Sequence, residues 1–281
     1  MSITEINNPE STDDALLRAR YGDNAVPPVG KLNDLLRSLL GHRSVRAYLR
    51  DPLPPGTLET LVAAAQSAAS SSNLQTWSVI AVEDRGRKAR LAEASNQQAF
   101  VEQAPLFLVW LADLSRLDRV ARAHGRTLEG RDYLDSFMVA AVDAGLAAQN
   151  AVVAAESLGL GSVYVGALRN DPELVAAELG LPQQVMPMFG LCVGYADPAQ
   201  PSAVKPRLPQ PVVLFRERYS PQAEMEQIAR YDESLSAFSR RHGMGDVTWT
   251  DRVLLRMASL SGMNGRDRMR AAMKALGFEL R

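Results

Sequence analysis

Two cation clusters, roughly 160 residues apart, are the part of this 281-residue sequence best equipped to do chemistry. The first is His42-Arg43-Ser44-Val45-Arg46, which offers two guanidiniums, an imidazole and a hydroxyl. The second is Lys205-Pro206-Arg207, where a proline between two cations fixes the backbone and lowers the entropy cost of presenting them. Arginine donates two parallel hydrogen bonds from a planar fork, the geometry that suits phosphate oxygens. If the clusters converge, they make an anion site fit for a phosphate monoester. In an extended segment Ser44 and Arg46 share a face and Arg43 takes the other. A third piece, Ser70-Ser71-Ser72-Asn73 with Gln75, carries uncharged donors and acceptors of the kind that match the edge of a heteroaromatic ring. Each piece alone has a plainer reading. Arginines after a helix can serve its C-terminal dipole, Lys205–Arg207 can be an exposed loop, and Ser70–Asn73 can be an ordinary helix end.

Other chemistries lose their support. No G-x-G-x-x-G follows a strand, since Gly159-Leu160-Gly161 lies between a helix and a strand. No phosphate-binding G-x-x-x-x-G-K-S/T and no G-x-S-x-G nucleophile elbow is present. His42, His124, His242 and the lone Cys192 are widely spaced, so no metal site is expected. With 31 Lys+Arg against 32 Asp+Glu, the net charge of −1 removes the electrostatic case for nucleic-acid binding. That neutrality hides an uneven distribution: residues 240–281 hold nine Lys/Arg and four Asp/Glu, whereas residues 1–30 hold two and five. The first thirty residues lack a charged-then-apolar leader pattern. The uncharged apolar stretch Ala104–Ala112 is too short to span a bilayer. One cysteine allows no internal disulfide. The expectation is a cytoplasmic protein with no membrane or nucleic-acid partner.

The elements that must hold these residues follow from the pattern. A helix start is expected at Ser11/Thr12 within an N-terminal arm, residues 1–30, that also contains Asn7-Asn8-Pro9-Glu10. Leu32, Leu35, Leu36, Leu39 and Leu40 recur at helical spacing, with Gly41 where a C′ glycine belongs. A stiff Asp51–Gly56 turn leads to a helix carrying Leu58, Leu61, Val62 and Ala65 on one face. Strands are predicted at Trp77–Val82, Leu106–Leu111, Ser162–Gly166 and Val185–Tyr195, with a fifth extended segment at Val212–Phe215. A helix covers Arg87–Ser95, and a charged stretch at 113–132 reads as an irregular connection. The longest helix, Tyr133–Leu158, is apolar on every face apart from Asp143, Gln149 and Asn150, the mark of a buried helix. Asn170-Asp171-Pro172 is a capped helix start, and Gly180 ends that helix. Beyond Pro221 the chain is helical and polar. The mixture lacks a regular βαβ cadence and favours α+β.

At this point the chain resembles the flavin-dependent nitroreductases. It is most similar to their NADPH-dependent oxygen-insensitive nitroreductase and flavin reductase P branch. The resemblance is carried by His42–Arg46, Ser70–Gln75, Ala148-Gln149-Asn150, Ala155–Gly161, Tyr164–Asn170, Phe189–Gly194 and Lys205–Pro209, in family order. It implies a nitroreductase-like fold: a central mixed or antiparallel sheet flanked by helices, with a core over 31–219 and a helical extension over 220–281. It also implies FMN. His42, Arg43, Ser44, Lys205 and Arg207 would serve the phosphate and ribityl side, and Arg46 the pyrimidine end of the ring. Gln75 and Gln98 would bond the ring or ribityl edge. The backbone of Tyr164, Val165, Gly166 and Ala167 would run beside the ring, with Ala167 replacing a frequent second glycine. The family's dimer puts two sites at the subunit interface, with Ser70, Ser71, Ser72 and Asn73 meeting the other subunit's flavin.

The implied reaction is ping-pong: NADPH reduces FMN, and a nitroaromatic, quinone or free flavin takes the electron pair. No catalytic side chain is assigned, because the chemistry belongs to the cofactor. Arg266, then Arg241, are the candidates for the NADPH 2′-phosphate. Two alternatives stand beside this reading. One keeps the fold but dehalogenates a substrate or consumes the flavin; the other is a non-enzymatic flavin-binding redox sensor.

Overall fold

A computed structural model describes residues 11–281 apart from 24 and 223, so Asn7–Glu10 lie outside the described residues. The chain divides into two compact units: Met1–Arg43 with Ala203–Gly262, and Ser44–Ser202 with Met263–Arg281.

The second unit is built on a four-stranded antiparallel sheet in the order β1 (Trp77–Val82), β2 (Leu106–Asp113), β4 (Val185–Gly194), β3 (Gly161–Val165). These are the four predicted strands, within two residues at either end. Alternation along β2 divides its side chains between two cores. Phe107, Val109 and Leu111 join Val82, Leu91, Val101 and Val175. Leu106, Leu108 and Trp110 join Leu61, Ala147, Ala148, Ala151, Val152 and Ala155. Every residue of β2 is buried, so this strand is the spine of the unit. Cys192 lies beside it on β4, fully buried, and burial pushes its thiol up. Helices Arg85–Ala94 and Pro172–Leu179 lie against each other, and Arg90 grips Glu178 through Nε and Nη2, both at 2.8 Å. The Pro172–Leu179 helix starts as predicted: Asp171 accepts from Leu174 N at 3.1 Å, and Gly180 closes it with φ 63°.

The long helix is Leu134–Ser157. It is apolar all round but is not buried all round. Its small residues, Ala140 through Ala155, face the sheet, while Leu134, Met138, Val142 and Leu146 form an exposed stripe at four-residue spacing. By length and composition it is the one helix among the described residues that could cross a membrane. Its inner face instead packs the second core. The 113–132 stretch holds more structure than expected, with a helix at Ser115–Ala123 and a single turn at Glu129–Asp132.

The first unit is helical among its described residues. Ser11 caps the helix Thr12–Tyr21 by accepting from Asp14 N at 3.1 Å, and that helix buries Leu17 and Arg20. Helix Asp34–Leu40 follows, with Leu35, Leu36 and Leu39 exposed and only the preceding Leu32 buried. Gly41 ends the helix, but with φ −78° it is right-handed and not the left-handed C′ glycine expected. Val212–Phe215 is not a strand: Gln210–Val213 forms a helical turn with Pro211 in its first positions, where a missing N–H costs nothing, and Leu214 beyond it returns to extended backbone. Helices Glu224–Arg241 and Trp249–Met257 complete this unit. Tyr231, Leu235 and Phe238 form a small core with Leu208 and Trp249.

Candidate functional site

In the second unit, residues 44–49 run along the end of the sheet. Ser44 bridges Ser162 in parallel, and Val45 N donates to Ser162 O at 2.9 Å. Further on, Leu49 N donates to Tyr195 O at 2.9 Å and Asp197 N to Ala47 O at 3.0 Å. The approach to β3 depends on Gly161, where an added Cβ would sit 2.6 Å from Val45 Cγ2. Side chains alternate along the segment: Val45 and Ala47 are buried and Arg46 is exposed. Tyr48 anchors it by donating its hydroxyl to Val45 O at 2.7 Å. Arg46 is therefore a charged group on a fixed, sheet-paired backbone.

The Ser70–Thr76 loop is held by one carboxylate. Asp143, buried on the long helix, accepts from Ser70 Oγ at 2.7 Å, Thr76 N and Oγ1 both at 3.0 Å, and Ser71 N at 3.3 Å. Ser70 Oγ in turn accepts from Gln75 N at 2.8 Å. The Ser70 hydroxyl is thus committed inward, while Ser71, Ser72, Asn73 and Gln75 stand exposed. Ser72, Asn73 and Gln75 have φ of 49°, 54° and 50°, a left-handed backbone that non-glycine residues rarely adopt. Such conformations persist where the surroundings over-determine them, as Asp143 does here.

The carboxyl end of β3 carries the third element. Tyr164 is partly exposed, packs edge-on against Phe189 with ring centroids 5.3 Å apart, and donates to Gln149 Oε1 at 3.4 Å. Burial pushes its phenol up, so it remains a neutral donor. Val165 and Ala167 are buried and Gly166 half-buried, in a turn that follows the strand. Gln149 thus orients Tyr164. Its neighbour Asn150 donates to Ala64 O at 3.1 Å, tying down the helix that leads into the Ser70 loop. Gln98 is half-buried, and its carbonyl opens the Phe100–Gln103 turn by accepting from Val101 N at 2.9 Å. Among the described residues, no hydrogen bond joins it to the other candidates.

In the first unit the two cation clusters meet through one guanidinium. Arg20 Nη2 donates to His42 O at 2.6 Å and Arg20 Nη1 to Lys205 O at 2.9 Å. Segments far apart in sequence are thus brought within the span of a single side chain. Arg43 and Arg207 are both exposed. Arg241 closes the Glu224–Arg241 helix in this unit, also exposed. Arg266 belongs to the second unit, where its Nε donates to Asn170 Oδ1 at 2.8 Å. Its neighbour Arg268 is paired with Glu173 at 2.7 Å.

Among the described residues no group of His, Cys, Asp or Glu could hold a metal ion. The nitroreductase family model matches residues 39–195, and the model for that family's C-terminal domain matches residues 205–281. The chain belongs to the nitroreductase family. Among its nitroreductase relatives, a Bacillus subtilis FMN reductase [NAD(P)H] is 40% identical over 226 residues, covering 79% of this chain and 90% of that one. A Vibrio harveyi NADPH-flavin oxidoreductase is 36% identical, covering 82% and 93%. The solved structure of NfrA2 from Bacillus megaterium superposes with a TM-score of 0.83 at 36% identity, covering 89% of this chain and all of that one. The antiparallel sheet and C-terminal helices are thus the nitroreductase fold expected from the sequence.

Sequence reasoning missed two residues that hold candidate segments, one in each unit. Asp143 left a signal, as the only charge in the middle of a long apolar helix. Arg20 left none, because the partners described for it above are main-chain carbonyls.

Proposed function

We propose that this nitroreductase is an FMN-dependent, NADPH-oxidising reductase. The chemistry supplied by bound FMN is two-electron transfer from NADPH to a nitroaromatic, quinone or free flavin acceptor, in ping-pong order. The observation that carries the reading is the meeting of the His42 and Lys205 backbones on Arg20, which gathers cations from both clusters. The donor set fits FMN. His42, Arg43, Ser44, Lys205 and Arg207 suit its phosphate and ribityl chain, through charge-assisted hydrogen bonds. Ser71, Ser72, Asn73, Gln75 and Gln98 offer uncharged groups to polar edges, with Ser70 as the inward anchor of their loop. Arg46 offers a cation able to stabilise negative charge on a reduced ring. The Tyr164–Ala167 backbone offers an amide edge at the end of β3. Arg266 and Arg241 remain the candidates for the NADPH 2′-phosphate. The relatives' names support both the cofactor and the donor.

The active assembly is proposed to be a homodimer. Support comes from the exposed stripe Leu134, Met138, Val142 and Leu146, apolar surface that a second copy would cover. A cytoplasmic location belongs to the same reading, since the lone, buried Cys192 needs no oxidising compartment.

The test is a visible spectrum of the purified protein, repeated without oxygen after NADPH is added. A yellow protein that bleaches is the expected result. A yellow protein that NADPH does not bleach overturns the NADPH reductase and points to NADH as the donor or to the redox-sensor alternative. A colourless protein that takes up no added FMN overturns the cofactor assignment.

A further inference from the structure

We infer that Arg20 is a positioning residue for the anion site, setting the spacing of the two cation-bearing segments and with it the preference for a phosphorylated flavin. The inference rests on the flavin reading above. Arg20 belongs to the helix Thr12–Tyr21, which lies outside the stretches 39–195 and 205–281 that match the family models. It is only 6% exposed. Its Nε and Nη2 donate to Leu40 O at 3.1 and 2.7 Å, and Nη2 also to His42 O at 2.6 Å. On its other side Nη1 donates to Lys205 O at 2.9 Å, and its own carbonyl accepts from Arg207 N at 2.8 Å. One residue therefore fixes the backbone beside Arg43 and the backbones of Lys205 and Arg207.

A guanidinium is planar and rigid, so the directions of its N–H bonds set the separation of the carbonyls it holds. A lysine in the same place has one nitrogen and no fixed fork. The second segment is braced from elsewhere by Tyr231, whose hydroxyl donates to Pro206 O at 3.0 Å. Freedom left by losing Arg20 would thus appear mainly as a change in distance between the two segments. The helix has a separate attachment: Arg37 Nε and Nη2 grip the Asp13 carboxylate at 2.7 and 3.2 Å. Docking of the helix and spacing of the cations can therefore be perturbed independently.

The experiment titrates the flavin-stripped full chain with FMN and with riboflavin, which lacks only the phosphate, following flavin fluorescence. Melting temperatures are recorded for each variant. Arg20→Met is expected to weaken FMN binding about ten-fold or more while riboflavin stays within about two-fold, the size expected for losing charge-assisted bonds. Arg20→Lys should fall between it and the wild type. Asp13→Ala should lower the melting temperature and leave the FMN-to-riboflavin ratio unchanged. An unchanged ratio in Arg20→Met, or an equal loss for both ligands, overturns the inference. If Arg20→Met does not fold, Arg20→Lys decides by the same ratio. A wild type that binds riboflavin as tightly as FMN overturns the phosphate site itself, and the inference with it.

Discussion

At the residue scale, the candidate segments are held by side chains that bond their own chain, not by those proposed to touch a ligand. Asp143 is the clearest case, because four donors converge on its two oxygens in a buried position. An amide of the same shape presents one acceptor and turns two N–H groups toward donors. Asp143→Asn is therefore expected to cost about 1–3 kcal/mol, the penalty for buried groups left unpaired. Amide hydrogen exchange should quicken at Ser71 and Thr76, while the β2 amides stay protected. Uniform exchange across the unit would show that the carboxylate serves global stability and not the loop. The same chemistry explains which residues could be read beforehand. Arg43, Arg46, Lys205 and Arg207 stand out because they fall in two tight clusters among segments that match the family motifs in order, not because exposed cations near turns are unusual. Arg20 did not, since a helical arginine in an acidic N-terminal region looks like any solvated one.

At the element scale, the strands are legible as short apolar runs bounded by turns, while the segment Val212–Phe215, expected to be extended, begins inside the helical turn Gln210–Val213. Four residues are too few for periodicity to separate the two, and Pro211 in its first positions decided the outcome. The 113–132 stretch reads as irregular because its helix has a narrow apolar face, Leu117 and Ala121, among many charges, and charge pairs brace it as well. Arg131 Nη1 holds Asp118 at 2.6 Å. Charge also links helices Arg85–Ala94 and Pro172–Leu179. The hydrogen bond from Arg90, aided by Arg87, holds the Glu178 carboxyl down to about 2 from its ordinary 4.5. A folded value below the unfolded one makes this contribution full above about pH 4.5, and it fades as pH falls toward 2. Glu178→Gln should therefore melt lower than the wild type at neutral pH, with the gap narrowing on acidification. A gap that is constant from pH 7 to about pH 3 would remove the ion pair from the account.

At the scale of the whole molecule, the long helix shows what one sequence pattern can leave undecided. Apolar residues on all sides could mean a fully buried helix or one face waiting for a partner, and only the exposure of Val142 and its stripe distinguishes them. Val142→Glu places a charge on that stripe without touching the sheet-facing alanines. It should give a folded chain whose mass in solution, by light scattering, is that of one copy where the wild type gives two. A dimer that survives the substitution would place the interface elsewhere. The fold as a whole was readable because family motifs run in order along most of the chain, whereas the packing of the first unit depended on main-chain hydrogen bonds that no motif records. A different use follows from the burial of Cys192, the chain's sole thiol. With that sulfur out of reach and its ionisation suppressed, maleimides and similar reagents find nothing to attack. Any cysteine engineered onto the surface would then be the single point of attachment for a dye or spin label, with no background to subtract.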